Sequence, residues 1–348
     1  MITADPVCIE RAAPADRRRW DAYVAGHPFA TAAHWSGWRD VIAESFGHRT
    51  FYLMARQGAT VVGVLPLVSV QSRMFGRSLV SMPFLDYGGV LADDDAVESA
   101  LIGEAVTIAR DLGADHLELR HATKKGAGLI SRTHKVSMRL PLPKDPGRLW
   151  NGFSPKLRSQ IRRPQKDGCV ARVGGREELD AFYRVFAENM RDLGTPVYGK
   201  RFFRRILERL PDVLIGVVHH GATPIAAGLL LRVHDRVHIQ WASSLKRYNR
   251  MSPNMLLYWT LLEQACQQGC EEFDFGRSSP DSGTFRFKEQ WGAAPAPLSW
   301  DYWLRPGASV PELDATNPRY AFAVRVWQHL PLVVANSCGP WIRKYVSA

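Results

Sequence analysis

The strongest constraint on this chain is that it spells one order of elements twice. In the first half, Pro14–Val24 and His34–Phe46 read as helices, the second with Trp35, Trp38, Ile42 and Phe46 on one face. Strands follow at Phe51–Ala55 and Val61–Val70, split by a Gly58-Ala59-Thr60 turn. Ser78–Met82 and Gly88–Leu91 read as short extended pieces around Pro83–Tyr87. Asp93–Asp95 then cap a helix that runs to Leu112, Gly113 ends it, and Asp115–Arg120 is a strand. The second half repeats this. Helices are predicted at Arg176–Arg191 and Arg201–Leu210, and strands at Val213–Val218, Ile225–Arg232 and Val237–Ser243. A helix after Pro253 and a strand at Glu272–Phe275 close the unit. Gly221-Ala222-Thr223 falls where Gly58-Ala59-Thr60 does, and 267–271 falls where 111–115 does. The pattern predicts an α/β (α+β) protein built by internal duplication.

Length and composition suit that plan. The 348 residues accommodate two ordinary domains, and 46% apolar residues supply their cores. The net charge of +11 favours an anionic partner such as RNA, a phosphorylated substrate or acidic lipid. The start of the chain has no apolar leader core, and no run reaches the roughly 18 apolar residues of a membrane span. A cytoplasmic protein is therefore expected. Five scattered cysteines make no disulfide framework. Cys266 and Cys270 lack partners at metal-ligand spacing, so buried thiols are expected and no metal.

The stretch from Met251 to Gly292 concentrates the chemistry. Ser252 reads as a helix cap with Pro253 in the first turn, and Met255, Tyr258, Trp259, Leu262 and Cys266 mark an apolar face. Gly269 ends the helix, and Glu272-Phe273-Asp274-Phe275 alternate as a strand ending at Gly276. Phe285-Arg286-Phe287-Lys288 also alternates. Read as a strand with Phe287 inward, it points Arg286 and Lys288 together towards Asp274 and Arg277. A cation there can stabilise the charge that builds on a carbonyl oxygen in acyl transfer. Asp274 can act as base, orient an amine, or simply pair with Arg277. Asp86, within Pro83–Gly89, is the corresponding acid of the first half or a turn aspartate.

Three further segments are basic. Arg247 and Arg250 precede the Ser252 helix, whose N-terminus favours an anion, and Tyr248 lies between them. Residues 153–166 carry Lys156, Arg158, Arg162, Arg163 and Lys166 with no acid. Arg158 and Arg162 share one helix face and Leu157 and Ile161 another, while Arg163-Pro164 argues against helix beyond that point. Phosphate, RNA backbone, lipid headgroups and plain solvent all suit that face. After Asp314 there is no acid at all. Asn317-Pro318 is expected to start a helix with Tyr320, Val324, Trp327 and Leu330 on one side, and Leu332–Val346 follows the break at Pro331. Such a tail can lie on an anionic membrane or dock on its own domain.

Asn254–Trp259, Phe273-Asp274-Phe275-Gly276 and Phe287-Lys288-Glu289-Gln290-Trp291-Gly292, set in a duplicated unit of this order, resemble the Fem-type (FemAB-like) peptidyltransferases of the GNAT superfamily. The loop Gly194–Tyr198 is similar too, and the likeness spans roughly residues 25–305. Within the family, the proteins associated with exosortase and exopolysaccharide loci are the nearest subgroup. The resemblance implies two tandem GNAT-like (acyl-CoA N-acyltransferase-like) domains, 1–150 and 151–305, and a basic helical tail, 306–348. It implies transfer of an acyl or aminoacyl group onto an amine or hydroxyl of an envelope glycan, exopolysaccharide or peptidoglycan-type precursor. It places Lys288 near the reacting ester, with Asp274 and Asp86 as further catalytic candidates. Phe287, Arg286, Arg277, Tyr198, Tyr248, Arg247, Arg250, Arg158 and Arg162 are the substrate-binding candidates. No bound cofactor is implied; the activated donor, aminoacyl-tRNA or an acyl thioester, is a co-substrate. The expected partners are a phosphorylated or lipid-linked glycan acceptor, tRNA, and an anionic inner-membrane surface through the tail. Acyl-CoA enzymes of the superfamily carry Arg/Gln-x-x-Gly-x-Gly/Ala before the helix. Here Arg250 and Ser252 occupy the small-residue positions, which counts against acyl-CoA. An acyl-CoA-dependent N-acyltransferase and a non-catalytic scaffold of polysaccharide assembly are the alternatives.

Overall fold

The computed structural model describes residues 5–72, 76–123, 128–311 and 318–346, with the backbone alone at 318–320. The chain forms two compact units. One draws on Met1–Val136, Pro297–Leu313 and Tyr345–Ala348, the other on Ser137–Ala296 and Asp314–Lys344. Division at 150 and 305 by sequence thus differs from division by packing, because two strands are placed by pairing and not by chain position.

The first part of the chain runs β1 (Val7–Arg11), α1 (Arg17–Gly26), α2 (Gly37–Phe46), β2 (Arg49–Gln57), β3 (Thr60–Ser72), β4 (Gly76–Val80), β5 (Leu91–Ala92), α3 (Asp95–Asp111), β6 (His116–His121) and β7 (Ile130–Arg132). Then come β8 (Val136–Pro141), α4 (Pro146–Gly152), α5 (Pro155–Lys166), β9 (Cys169–Gly174), α6 (Leu179–Asp192), α7 (Lys200–Arg209), β10 (Val213–His220), β11 (Thr223–Val233), β12 (Arg236–Ser244), α8 (Pro253–Gln267) and β13 (Glu272–Ser278). The remainder is α9 (Gly283–Glu289), β14 (Ala294–Pro297), β15 (Ser299–Leu304), α10 (Pro318–Gln328) and α11 (Leu332–Arg343).

One sheet has the order β1-β2-β3-β4-β6-β15-β7, with β5 beside β3; the other reads β9-β10-β11-β12-β13-β8-β14. The duplication is therefore spatial as well as sequential. In each sheet four antiparallel strands precede one parallel neighbour, reached through a long helix, α3 or α8. A sixth strand then extends each sheet, and the two are exchanged along the chain. β8, which follows the first repeat, lies beside β13, and β15, which follows the second, pairs with β6 from Ser299↔His121 to Leu304↔His116.

Local chemistry explains the helices. The Asp94 carboxylate caps α3 by accepting from Val97 N–H at 2.8 Å. Gly113, at φ +61°, lets the chain leave it. The first core collects Leu53, Leu65, Leu67, Leu79, Ile108, Leu117 and Leu119 under α3. In the second unit α8 sits so close to β10 that a Cβ on Gly216 would stand 2.7 Å from Leu261 Cδ2.

Four expectations need correction. The extended piece at Gly88–Leu91 reduces to β5, and β4 stops at Val80, because Met82 and Phe84 take positive φ and turn the chain away. Ser252 does not cap α8 with its side chain; it lies in the left-handed region at φ +54°. α5 continues through Pro164 to Lys166. Pro164 is buried with Leu157 and Ile161, and only one further turn's hydrogen bonding is at stake so near the helix end. The fourth, the Phe285–Lys288 segment, belongs to the site described below.

The tail docks on the second unit. Arg191 donates to Leu330 C=O at 3.1 Å. Gly339 meets the Val197 backbone so closely that a Cβ would stand 2.9 Å from its nitrogen. Arg343 donates to Tyr198 Oη at 2.7 Å, with its guanidinium 4.6 Å above that ring. Asn317 and the side chain of Tyr320 lie outside the described residues. No helix among the described residues is long and apolar enough to cross a membrane.

Candidate active site

β12 and β13 are parallel neighbours over three residue pairs, Arg236–His238 against Glu272–Asp274. Both strands run on, to Ser244 and Ser278, without further pairing between them. Asp274 therefore stands at the point where the sheet splits. Beyond it the facing backbone edges are parted, and an extended substrate arm can bond to them as a missing strand would.

The Asp274 carboxylate is buried. Its Oδ1 accepts from Ser137 Oγ at 2.5 Å and from Gly276 N–H at 2.7 Å, and Oδ2 lies 3.9 Å from Arg139 Nε. Ser137 and Arg139 are two apart on β8, so the pleat presents both to the same neighbour. Gly276, at φ +77°, puts a kink within β13, and the Asp274 side chain accepts from its N–H.

Lys288 holds the other side of that kink. The residue is 7% exposed, and its ammonium donates to Gly276 C=O at 2.8 Å and to Arg277 C=O at 2.9 Å. It does so from a helix, not from the strand expected of Phe-Arg-Phe-Lys. Ser282 Oγ accepts from Phe285 N–H at 3.2 Å and starts α9, so the local cap overrides the alternation. Residues two apart on a helix face nearly opposite ways. Arg286 is accordingly exposed while Lys288 is buried. Phe287 packs against Tyr258, with centroids 5.1 Å apart. Burial pushes the Tyr258 phenol far above its ordinary range, so it remains neutral.

The structure thus joins Asp274, Lys288 and the backbone carbonyl of Arg277 in one clamp, with Phe287 next to it on α9, and places most other candidates elsewhere. Tyr198 is in the core, 1% exposed under Arg343, and not on a rim. Arg247 is ion-paired with Glu188 of α6, and its guanidinium lies 5.2 Å from the Tyr248 ring centroid. Arg250 is exposed. Asp86 is buried in the loop after β4, but it is not the counterpart of Asp274. The third parallel pair of the first sheet is Val80↔Glu118, where the second has His238↔Asp274, so the matching acid is Glu118. Its Oε1 accepts from Arg120 Nε at 2.6 Å, and the Arg120 guanidinium lies 4.4 Å from the Trp300 ring centroid. Sequence reading missed Glu118, Ser137 and Arg139.

Arg158 and Arg162 fall on a surface cleft of about 420 Å³ together with Trp150, Asn151, Ser159 and Lys166. The three cations recur every fourth residue on the outer face of α5, and Arg162 lies 5.1 Å from the Trp150 ring centroid. No carboxylate among the described residues lies within ion-pair distance of these three. The cleft shares an aromatic wall with α9. Trp150 packs edge-on to Trp259 at 4.8 Å, Phe153 to Trp291 at 5.5 Å, and Phe287 to Trp291 at 6.3 Å.

Residues 153–289 match the family model described as an acetyltransferase (GNAT) domain. No curated protein matches the chain. Among solved structures, the crystal structure of FemX is similar with a TM-score of 0.65 at 15% identity, covering 84% of this chain and 96% of that one. The L-PGS of Bacillus licheniformis scores 0.59 at 14% identity over 87% and 95% of the two chains. A tandem GNAT protein from the clavulanic acid biosynthesis pathway scores 0.54 at 13% identity, over 88% and 100%. The fold is a tandem GNAT fold, similar to that of FemX over most of both chains.

Proposed function

We propose that this chain, whose residues 153–289 carry a GNAT acetyltransferase domain, is an acyl- or aminoacyltransferase acting on an envelope glycan precursor. The observation that supports the reading best is the split between β12 and β13 with Lys288 and Asp274 fixed at its apex. The donor's acyl arm lies in the split, and the acceptor amine or hydroxyl attacks the carbonyl directly. The carbonyl oxygen gains negative charge, the bond to the leaving oxygen or sulfur breaks, and the acceptor's proton passes to solvent or to the leaving group. Lys288 supplies positive charge beside that oxygen from a position preset by two carbonyls, so no reorganisation is needed. Asp274 orients the kinked backbone that faces the reacting group.

The cation-lined cleft on α5 receives the phosphates that a lipid-linked or nucleotide-linked precursor carries. Aminoacyl-tRNA is the favoured donor. Arg250 and Ser252 place side chains where the pyrophosphate of acyl-CoA needs bare backbone, and Arg247 is occupied by Glu188. Peptidoglycan-type and exopolysaccharide precursors are the acceptor classes, and a chain working on them acts at the cytoplasmic side of the membrane.

The test supplies labelled aminoacyl-tRNA, or separately labelled acyl-CoA, with a bacterial lipid extract as acceptor. Transfer from the tRNA, reduced at least tenfold per folded molecule in Lys288→Met, is the expected result. Transfer from acyl-CoA alone overturns the donor assignment. No transfer from either donor overturns catalysis and leaves a non-catalytic scaffold.

A further inference from the structure

Each tail helix has a side that no described residue covers, and that side carries exposed apolar side chains. α11 docks through Ala335, Gly339 and Arg343, spaced four apart along one face. At 100° per residue, Val334 and Trp341 point the opposite way. α10 docks through Val324 on Gly194, and Phe322 and Val326 lie opposite Val324. Phe322 is 79% exposed, Val333 77% and Trp341 70%. A docked helix of a soluble domain ordinarily turns polar residues outward. Here six of the eleven exposed large hydrophobic side chains among the described residues fall within these two helices. Single exposed hydrophobes need no explanation, but a concentration in two short helices does.

Charge narrows what covers it. The sequence after Asp314 contains no Asp or Glu. Arg325 is exposed beside Val326, and the Lys344 ammonium stands 5.0 Å from the Trp341 ring centroid. Tryptophan with a lysine over its ring suits the boundary of a bilayer, where the ring enters the headgroup layer and the ammonium meets lipid phosphate. A surface that is apolar, cationic and free of acid complements an anionic leaflet, whose potential attracts each added cation.

We propose that the outer face of α10 and α11 is a membrane-docking surface for anionic phospholipid, and that it rests flat in the headgroup layer without spanning it. The docked face keeps the helices formed in the absence of lipid. The surface is therefore preassembled and binds without a folding step. This inference stands independently of the transfer chemistry.

The test is co-flotation of the full chain with phosphatidylcholine vesicles, with and without phosphatidylglycerol. Binding is expected only with the anionic lipid, weakened by salt. Phe322→Ser combined with Trp341→Ser is expected to lower the vesicle-bound fraction at least about tenfold, as the loss of two inserted side chains requires. Both side chains are exposed, so the variant leaves the docked face intact; an unchanged thermal transition confirms that it folds. Removing the whole tail is a poorer test, because it uncovers Tyr198. Equal flotation of variant and parent overturns the proposal, as does equal binding to neutral vesicles. A parent that forms dimers, ignores vesicles and becomes monomeric in the double variant shows instead that a second copy covers the face.

Discussion

Replacing Lys288 with methionine separates what the lysine does for the fold from what it does for transfer. The side chain keeps its length and apolar stem but loses the ammonium. Gly276 C=O and Arg277 C=O then lose their donor at a buried kink. Leaving a buried acceptor unsatisfied costs about 1–3 kcal/mol, so two such groups set an upper range of about 2–6 kcal/mol. Removing a charge that was itself costly to bury returns part of that, and the expected net loss is about 2–4 kcal/mol. For a unit of this size the corresponding fall in Tm is roughly 5–15 °C. Urea unfolding followed by tryptophan fluorescence measures it, because Trp291 is 1% exposed and shares a packing cluster with Phe287 of the same helix. Transfer is then compared per folded molecule, at a urea concentration and temperature where both proteins are native. An unchanged urea midpoint would refute the clamp and leave Lys288 with a purely chemical role. A lower midpoint with undiminished transfer would refute the chemical role and leave only the clamp.

Three other outcomes follow from the same geometry. Gly339→Val is expected to unseat α11, since its side chain would meet the Val197 backbone within about van der Waals contact; limited proteolysis should then cut near 311–331 far faster than in the parent. Native thiol labelling near neutral pH is expected to modify Cys8 and Cys338 rapidly, while Cys169, Cys266 and Cys270 react only on unfolding, Cys266 being pushed up to about 11 by burial; fast labelling of Cys266 contradicts its place on the buried face of α8. Burial holds the His116 imidazole below its ordinary 6.5, so the unfolded state takes up the proton first. Its contribution is therefore favourable above about pH 6.5 and is lost as pH falls through that value towards the folded pKa. His116→Gln should flatten this part of the stability-versus-pH curve, and an unchanged slope counts against the assignment.

The repeated order of elements was legible because each helix carries a 3.6-residue apolar period and a cap or stop, as α3 does with Asp94 and Gly113. The acid–lysine clamp was legible in part. Asp274 and Lys288 could be named from charge set among aromatic residues, but their meeting depends on a helix that alternation disguised. Phe285-Arg286-Phe287-Lys288 satisfies a period of two, and Ser282 decides the matter from outside that window. Ser137 and Arg139 left a usable signal, since Val136, Met138 and Leu140 alternate with them as a half-buried strand requires. What no local pattern carries is the partner of that strand. Glu118 likewise becomes the counterpart of Asp274 only through register, because the two acids sit in dissimilar sequence. Tyr198 was misplaced for a related reason: the arginine that covers it lies in the last helix of the chain.

The exchanged sixth strands bear on how the chain is made. His121 finds its sheet partner only once Ser299 has been synthesised. At roughly 5–20 residues per second, β6 waits about ten to forty seconds on the ribosome with its edge unpaired. During that interval β8 has already been synthesised and must be kept for β13. An open strand edge next to an eligible wrong strand is a setting for mispairing and aggregation. Cutting the gene at residue 150 would make the wait permanent, since the first fragment would lack β15 and the second would lack Ser137 and Arg139. The two repeats follow one plan, but neither stretch of chain holds all the strands of its own sheet.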